Sequence, residues 1–197
     1  MDFIKSNSKN SKNERAKILI WGIPKSGKST FAEKLCQERH YTACVIDIDD
    51  TNRTDQYRLL VNDSIPSRYD YADKVYRNIM KAIDMIVENK EPKFNCIILD
   101  GCTLLQSECS GEEKGFEKHN LKSDRLTKII RKLRDSGCHL IFIGQPDLQW
   151  QLDDEGNTKS NKFVQDVTSL VNEVYECRVS MDSEGNNNFK IVTRCKR

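Results

Sequence analysis

The run Gly22-Ile23-Pro24-Lys25-Ser26-Gly27-Lys28-Ser29, followed by Thr30, fits G-x-x-x-x-G-K-[ST] at every position. Each residue type there has a chemical reason. Glycines let backbone N–H groups close around an anion, and a helix N-terminus beyond them adds partial positive charge. Lys28 can reach the β- and γ-phosphates, and the Ser29 hydroxyl can ligate Mg²⁺. Further along, Cys-Ile-Ile-Leu-Asp100 places a carboxylate after four apolar residues, the Walker B form, in which the acid serves the same Mg²⁺. Asp47, Asp49 and Asp50 cluster after another apolar run, and Gln145 closes a third. These groups together describe a nucleoside triphosphate site with ATP and Mg²⁺ as its occupants.

Such groups converge only if strands and helices alternate to present them at one edge. Ile18 to Trp21 reads as a buried strand, and Phe31, Ala32 and Leu35 return at helical spacing, so the glycines lie in a strand-to-helix turn. Val45, Ile46 and Ile48 form a second strand. Residues 71–90 repeat apolar side chains at Val75, Ile79, Ala82, Ile83 and Ile86, an amphipathic helix. Cys96 to Leu99 is apolar throughout, as suits a parallel strand covered on both faces. Residues 105–120 read as a polar loop. A helix over 123–137 follows, capped by Ser123 or Asp124, with Leu126, Ile129, Ile130 and Leu133 inward and Gly137 closing it. Its Arg125, Lys128, Arg131, Lys132 and Arg134 make either a basic face or an ordinary solvated one.

Residues 138–145 are another buried strand, 146–161 a second polar loop, and 163–171 a short helix. Residues 173–181 and 188–197 flank a turn as a hairpin. The predicted fold is α/β: a doubly wound, mainly parallel sheet with helices on both faces and a C-terminal antiparallel hairpin. Ligands then bind at the carboxyl ends of the strands. Residues 1–15 form a polar arm and 16–197 a single domain. Phe3 and Ile4 in that arm make either a frayed end or a peptide that docks on a neighbouring subunit.

A net charge of +2, from 32 basic and 30 acidic residues, means that any basic surface is local. The eight cysteines contain no C-x-x-C pair and several fall in apolar runs, which predicts reduced core thiols, no zinc and a cytoplasmic protein. No apolar stretch is long enough to cross a membrane.

In their order and spacing the four features resemble the RecA-like ATPase core, and in particular the short phage Sak-type single-strand-annealing ATPases. The resemblance covers about residues 16–195. It implies that Asp49, on "VIDID", orients the attacking water where bacterial RecA has a glutamate. It also implies that Asp100 serves the metal and that Gln145, ending "LIFIGQ", senses the γ-phosphate. Catalysis would then rest on Lys28, Asp49 and Gln145. By the same likeness, segments 105–120 and 146–161 contact single-stranded DNA. In the second, Trp150 is available to stack on a base unless it is a core residue, with Gln149 for polar contact and Lys159 for a phosphate. The implied partners are single-stranded DNA, further copies of this chain that complete the site, and a single-strand DNA-binding protein.

Two departures stand out: Asp49 is shorter than the family's glutamate, and the large flanking domains of RecA are absent. "GIPKSGKST" and "IDIDD" also resemble small-molecule or polynucleotide kinases. A kinase needs an arginine-bearing lid, however, and 146–161 contains no Arg and an acidic "LDDEG". A nucleotide-gated binding switch with weak hydrolysis is the third reading, favoured by the short Asp49.

Overall fold

The computed structural model describes residues 15–50, 52, 54–61, 71–102, 104–105, 115–145 and 170–196, with the side chains of 71–73, 115–119 and 195–196 excepted. Its strands are Lys17–Gly22 (β1), Ala43–Asp47 (β2), Tyr57–Leu60 (β3), Cys96–Asp100 (β4), His139–Gly144 (β5), Glu173–Met181 (β6) and Asn187–Lys196 (β7). The helices are Lys28–Glu38 (α1), Tyr71–Glu88 (α2) and Gly115–Asp135 (α3). All seven strands join one sheet in the order β3-β2-β4-β5-β1-β6-β7. Every pairing from β3 to β6 is parallel, and β7 alone runs antiparallel, on β6.

Continuous apolar runs make the central strands because both sheet faces are covered. Every residue of β2 and of β4 is buried. On one face Ala32, Leu35 and Cys36 of α1 pack on Ile18, Ile20, Val45, Ile98 and Ile141. On the other, Val75, Ile79, Ala82, Ile83 and Ile86 of α2 join Ile129 and Leu133 of α3 over Leu19, Ile46, Leu99 and Phe142. The predicted doubly wound sheet and C-terminal hairpin are therefore present. Cys36, Cys44, Cys96, Cys102, Cys138 and Cys177 are buried free thiols, in keeping with their apolar settings. Among the described residues no helix is long and apolar enough to cross a membrane.

The structure departs from the sequence reading in two places. Helix α3 starts at Gly115, so residues 115–120 are helical and Ser123 and Asp124 are exposed interior positions rather than caps. Gly115 is the last strong helix breaker before that stretch, and the sequence after it, GFEKHN, offers only Phe116 as an apolar residue, too little for a helical period to show. Strand β3 was not foreseen: it is short, lies at the sheet edge and keeps most of its side chains exposed.

Of the two readings of the cations on α3, the structure favours the ordinary solvated face. Arg125 turns inward, with its guanidinium carbon 5.5 Å from the centre of the Tyr76 ring. Lys128 pairs with Asp124 at 2.7 Å, Lys132 with Asp84 at 2.6 Å and Arg134 with Asp135 at 2.9 Å. The helix expected at 163–171 lies mostly outside the described residues, and Val171 within them is not helical. The 1–15 arm is described only at Arg15. Both expected DNA-contacting segments fall largely outside as well, with Gln149, Trp150 and Lys159 among them.

Candidate functional site

Strand β1 ends at Gly22 against β6, where a Cβ on residue 22 would stand 2.2 Å from the Cys177 carbonyl oxygen and 2.6 Å from Ser26 Oγ. Only glycine fits between the neighbouring strand and the returning loop. The loop then tightens: the Ser26 N–H donates to the Ile23 carbonyl at 3.2 Å, and Lys25 takes a left-handed φ of 63°. Gly27, at φ 81°, is the N-cap of α1, a left-handed position that suits glycine. The first-turn N–H groups of α1 thus converge on one point, the anion-binding end of a helix.

A cleft of about 550 Å³ opens over that point. Pro24, Lys25, Gly27, Lys28, Ser29 and Thr30 line it from the loop. Asp100 from the end of β4 and Gln145 from just after β5 close its far side. Gly22, Ile23 and Ser26 belong to the loop but not to the cleft lining. Gln145 reaches the cleft because β5 lies between β1 and β4, so the residue following it falls between the phosphate loop and the carboxylate.

Lys28 is 8% exposed and its Nζ donates to the Ile23 carbonyl at 2.8 Å. Burial pulls its ammonium below the ordinary lysine value, while Asp100, the Cys177 thiol and Asp49 favour the charged form. The Ser29 hydroxyl donates to Asp100 Oδ2 at 2.9 Å, so the two predicted metal groups, from distant parts of the chain, meet directly. Asp100 is 4% exposed, and burial is the main reason its carboxyl is pushed up to about 6; the Ser29 hydroxyl and the Asn52 amide oppose that, whereas Asp49 and Asp47 add to it.

Asn52 is a residue the sequence reading missed. Its Nδ2 donates to Asp100 Oδ2 at 3.0 Å, its backbone N–H donates to Asp47 Oδ2 at 3.3 Å, and its Oδ1 accepts from both the Thr54 N–H and hydroxyl. Arg58 of β3 braces the same turn through Asp47, Asp50 and the Asn52 carbonyl, at 3.1, 3.2 and 2.9 Å. Thr54 and Glu33, also unforeseen, line the cleft. Asp49 lies beside Gly101, where its Cγ would be 3.3 Å from a Cβ, and near enough to Lys28 and Asp100 to act on the charge of both, though it is not part of the cleft lining.

These groups fit a triphosphate with Mg²⁺. The buried Ser26 Oγ makes no hydrogen bond to the protein, and backbone donors crowd one helix end. Ser29 and Asp100 offer a hard cation two oxygens, which suits a metal that takes the rest of its shell from phosphates and water. Among the described residues no set of three or more His, Cys, Asp or Glu side chains could hold a metal unaided.

No curated protein matches the chain. A family model described as "AAA domain" matches residues 14–195, a stretch that contains the whole loop, both carboxylate strands and all but the last residue of the hairpin. The chain therefore belongs to the AAA domain family, a family of nucleotide-binding P-loop ATPase domains.

Proposed function

We propose that the protein is a RecA-like ATPase that hydrolyses ATP on single-stranded DNA, in recombination or strand annealing of the phage Sak type. The observation that carries this reading is the position of Gln145. It lines the cleft beside Asp100, and the chain runs from it directly into segment 146–161. A γ-phosphate contact there has one short connection through which to reposition a DNA-contacting segment.

In this reading the loop N–H groups and Lys28 hold the phosphates, and Ser29 and Asp100 hold Mg²⁺. The metal supplies charge neutralisation on the phosphate oxygens when bound. Asp49, close to Asp100 and Lys28, orients a water, and Asn52 keeps Asp100 turned toward Ser29. Further copies of the chain supply a second positive charge to the site, since the described cleft lining contains only Lys25 and Lys28 as cations.

The test is ATP turnover by the full chain with Mg²⁺, with and without single-stranded DNA at moderate salt. DNA-stimulated hydrolysis supports the reading. Phosphoryl transfer to a hydroxyl acceptor with little hydrolysis would replace it with a kinase. Tight ATP binding with scarcely any turnover under all conditions would replace it with a binding switch.

A further inference from the structure

The β6–β7 hairpin outruns the strand it rests on. Its pairing with β1 ends at Gly22 opposite Cys177, yet β6 continues to Met181 and β7 returns from Asn187. The overhanging part therefore stands beside the phosphate loop. On one of its faces Val179 is paired with Phe189 and Cys177 with Ile191, with Met181 on the same side at the tip. This is the α1 side of the sheet, since Cys177 belongs to the α1 core. The cations of the hairpin, Arg178, Lys190 and Arg194, alternate onto the opposite face, where Arg178 and Arg194 grip Glu176.

Phe189 is 60% exposed, yet it stands at the loop: a Cβ on Gly27 would lie 3.6 Å from its Cδ1. Ile191 and Met181 beside it are exposed as well, as is Ile23 of the loop. A scattered surface aromatic needs no explanation. An aromatic ring beside the N-cap glycine of an anion-binding helix, with apolar side chains around it, is a different feature.

The sheet order sets the direction of any nucleotide held there. Asp100 and Gln145 follow β4 and β5 on one side of β1, whereas β6 and β7 lie on the other. A triphosphate whose γ end meets Asp100 and Gln145 runs along the loop with its nucleoside end toward the hairpin.

We propose that Phe189 is the platform on which the nucleobase stacks, with Ile191 beside it on the same hairpin face, and that this face sets the affinity difference between a nucleotide and a bare polyphosphate. The proposal rests on the nucleotide-binding reading of the cleft. Stacking on an exposed ring tolerates any base, so the contribution is to affinity for a flat aromatic base.

The experiment compares calorimetric titrations of Mg-ADP and of Mg-tripolyphosphate into the wild type, Phe189→Ala, Phe189→Leu and Phe189→Trp, with melting temperature and sedimentation as controls. Phe189→Ala is expected to weaken ADP binding by about 5- to 150-fold, the range that corresponds to loss of one base–aromatic stack. Phe189→Trp should keep the wild-type affinity, Phe189→Leu should recover only part of it, and tripolyphosphate binding should be the same in all four. Unchanged ADP affinity in Phe189→Ala, or an equal loss for ADP and tripolyphosphate, would overturn the proposal. So would an altered sedimentation coefficient with ADP affinity intact, which would make this face a subunit contact. If the wild type binds neither probe, the nucleotide-binding reading itself fails.

Discussion

Asp100 gives the sharpest quantitative test, because its environment works against its charge. In metal-free protein the carboxyl is buried, with Asp49 and Asp47 nearby, and among the described residues two donors, the Ser29 hydroxyl and the Asn52 amide, reach its Oδ2. Its folded value is pushed up to about 6 from the ordinary 3.8. For an acid shifted upward, the folded state binds the proton more tightly than the unfolded chain. The associated stability is fully present below about pH 4 and is lost as pH rises through about 6. Above that, keeping Asp100 ionised costs on the order of 3 kcal/mol.

Asp100→Asn removes the charge and keeps a carbonyl oxygen for Ser29 and Asn52. For a chain of this size 1 kcal/mol moves the melting temperature by about 2–4 °C, so the variant should melt roughly 6–12 °C above the wild type at pH 8 in chelator. At pH 4 the two should nearly coincide. Adding Mg²⁺ with ADP should raise the wild type and leave the variant largely behind, because the ion neutralises the carboxylate it binds. The assay is thermal unfolding of both proteins between pH 4 and pH 8. A melting-temperature difference that stays constant across that range would refute the account of Asp100 as a buried acid strained by its own ionisation.

Two further outcomes follow from the site. Lys28→Ala removes a charge-assisted contact worth about 1.5–3 kcal/mol, so ATP affinity measured by competition should fall about ten- to a hundredfold; unchanged affinity would remove Lys28 from the site. Asp49→Asn should leave ADP affinity within about twofold while steady-state turnover falls at least tenfold, because a water-orienting group acts on the transition state; lost ADP binding would mean Asp49 serves the metal.

The parts of the fold that the sequence displayed are those in which burial repeats in a regular way. Strands β1, β2, β4 and β5 are short apolar runs because helices cover both sides of the sheet, and α2 shows its buried stripe residue for residue. Strand β3 stayed hidden for the opposite reason: at an edge, with Tyr57 and Leu60 exposed, it carries no alternation to read. The start of α3 was lost because GFEKHN, with Phe116 as its one apolar residue, reads as a polar segment.

The site divides in the same way. Residues of the phosphate loop are constrained locally, each by the backbone or by one anion, so their spacing is written in consecutive positions. Asn52 is constrained by partners far apart in the chain, at Asp47 and Asp100, and neither its type nor its spacing marks it as special. The one available signal was its place five residues after Asp47, the carboxylate that ends β2, where a buried acid needs a neutral donor. Asp47 shows why that need exists: it is wholly buried, and Arg58 from the unforeseen β3 is the cation that reaches it. The edge strand that left no pattern thus supplies Arg58, which braces the turn carrying Asn52 to Asp100. A sequence reading that could not see β3 could not see that support for the buried carboxylate of Asp100.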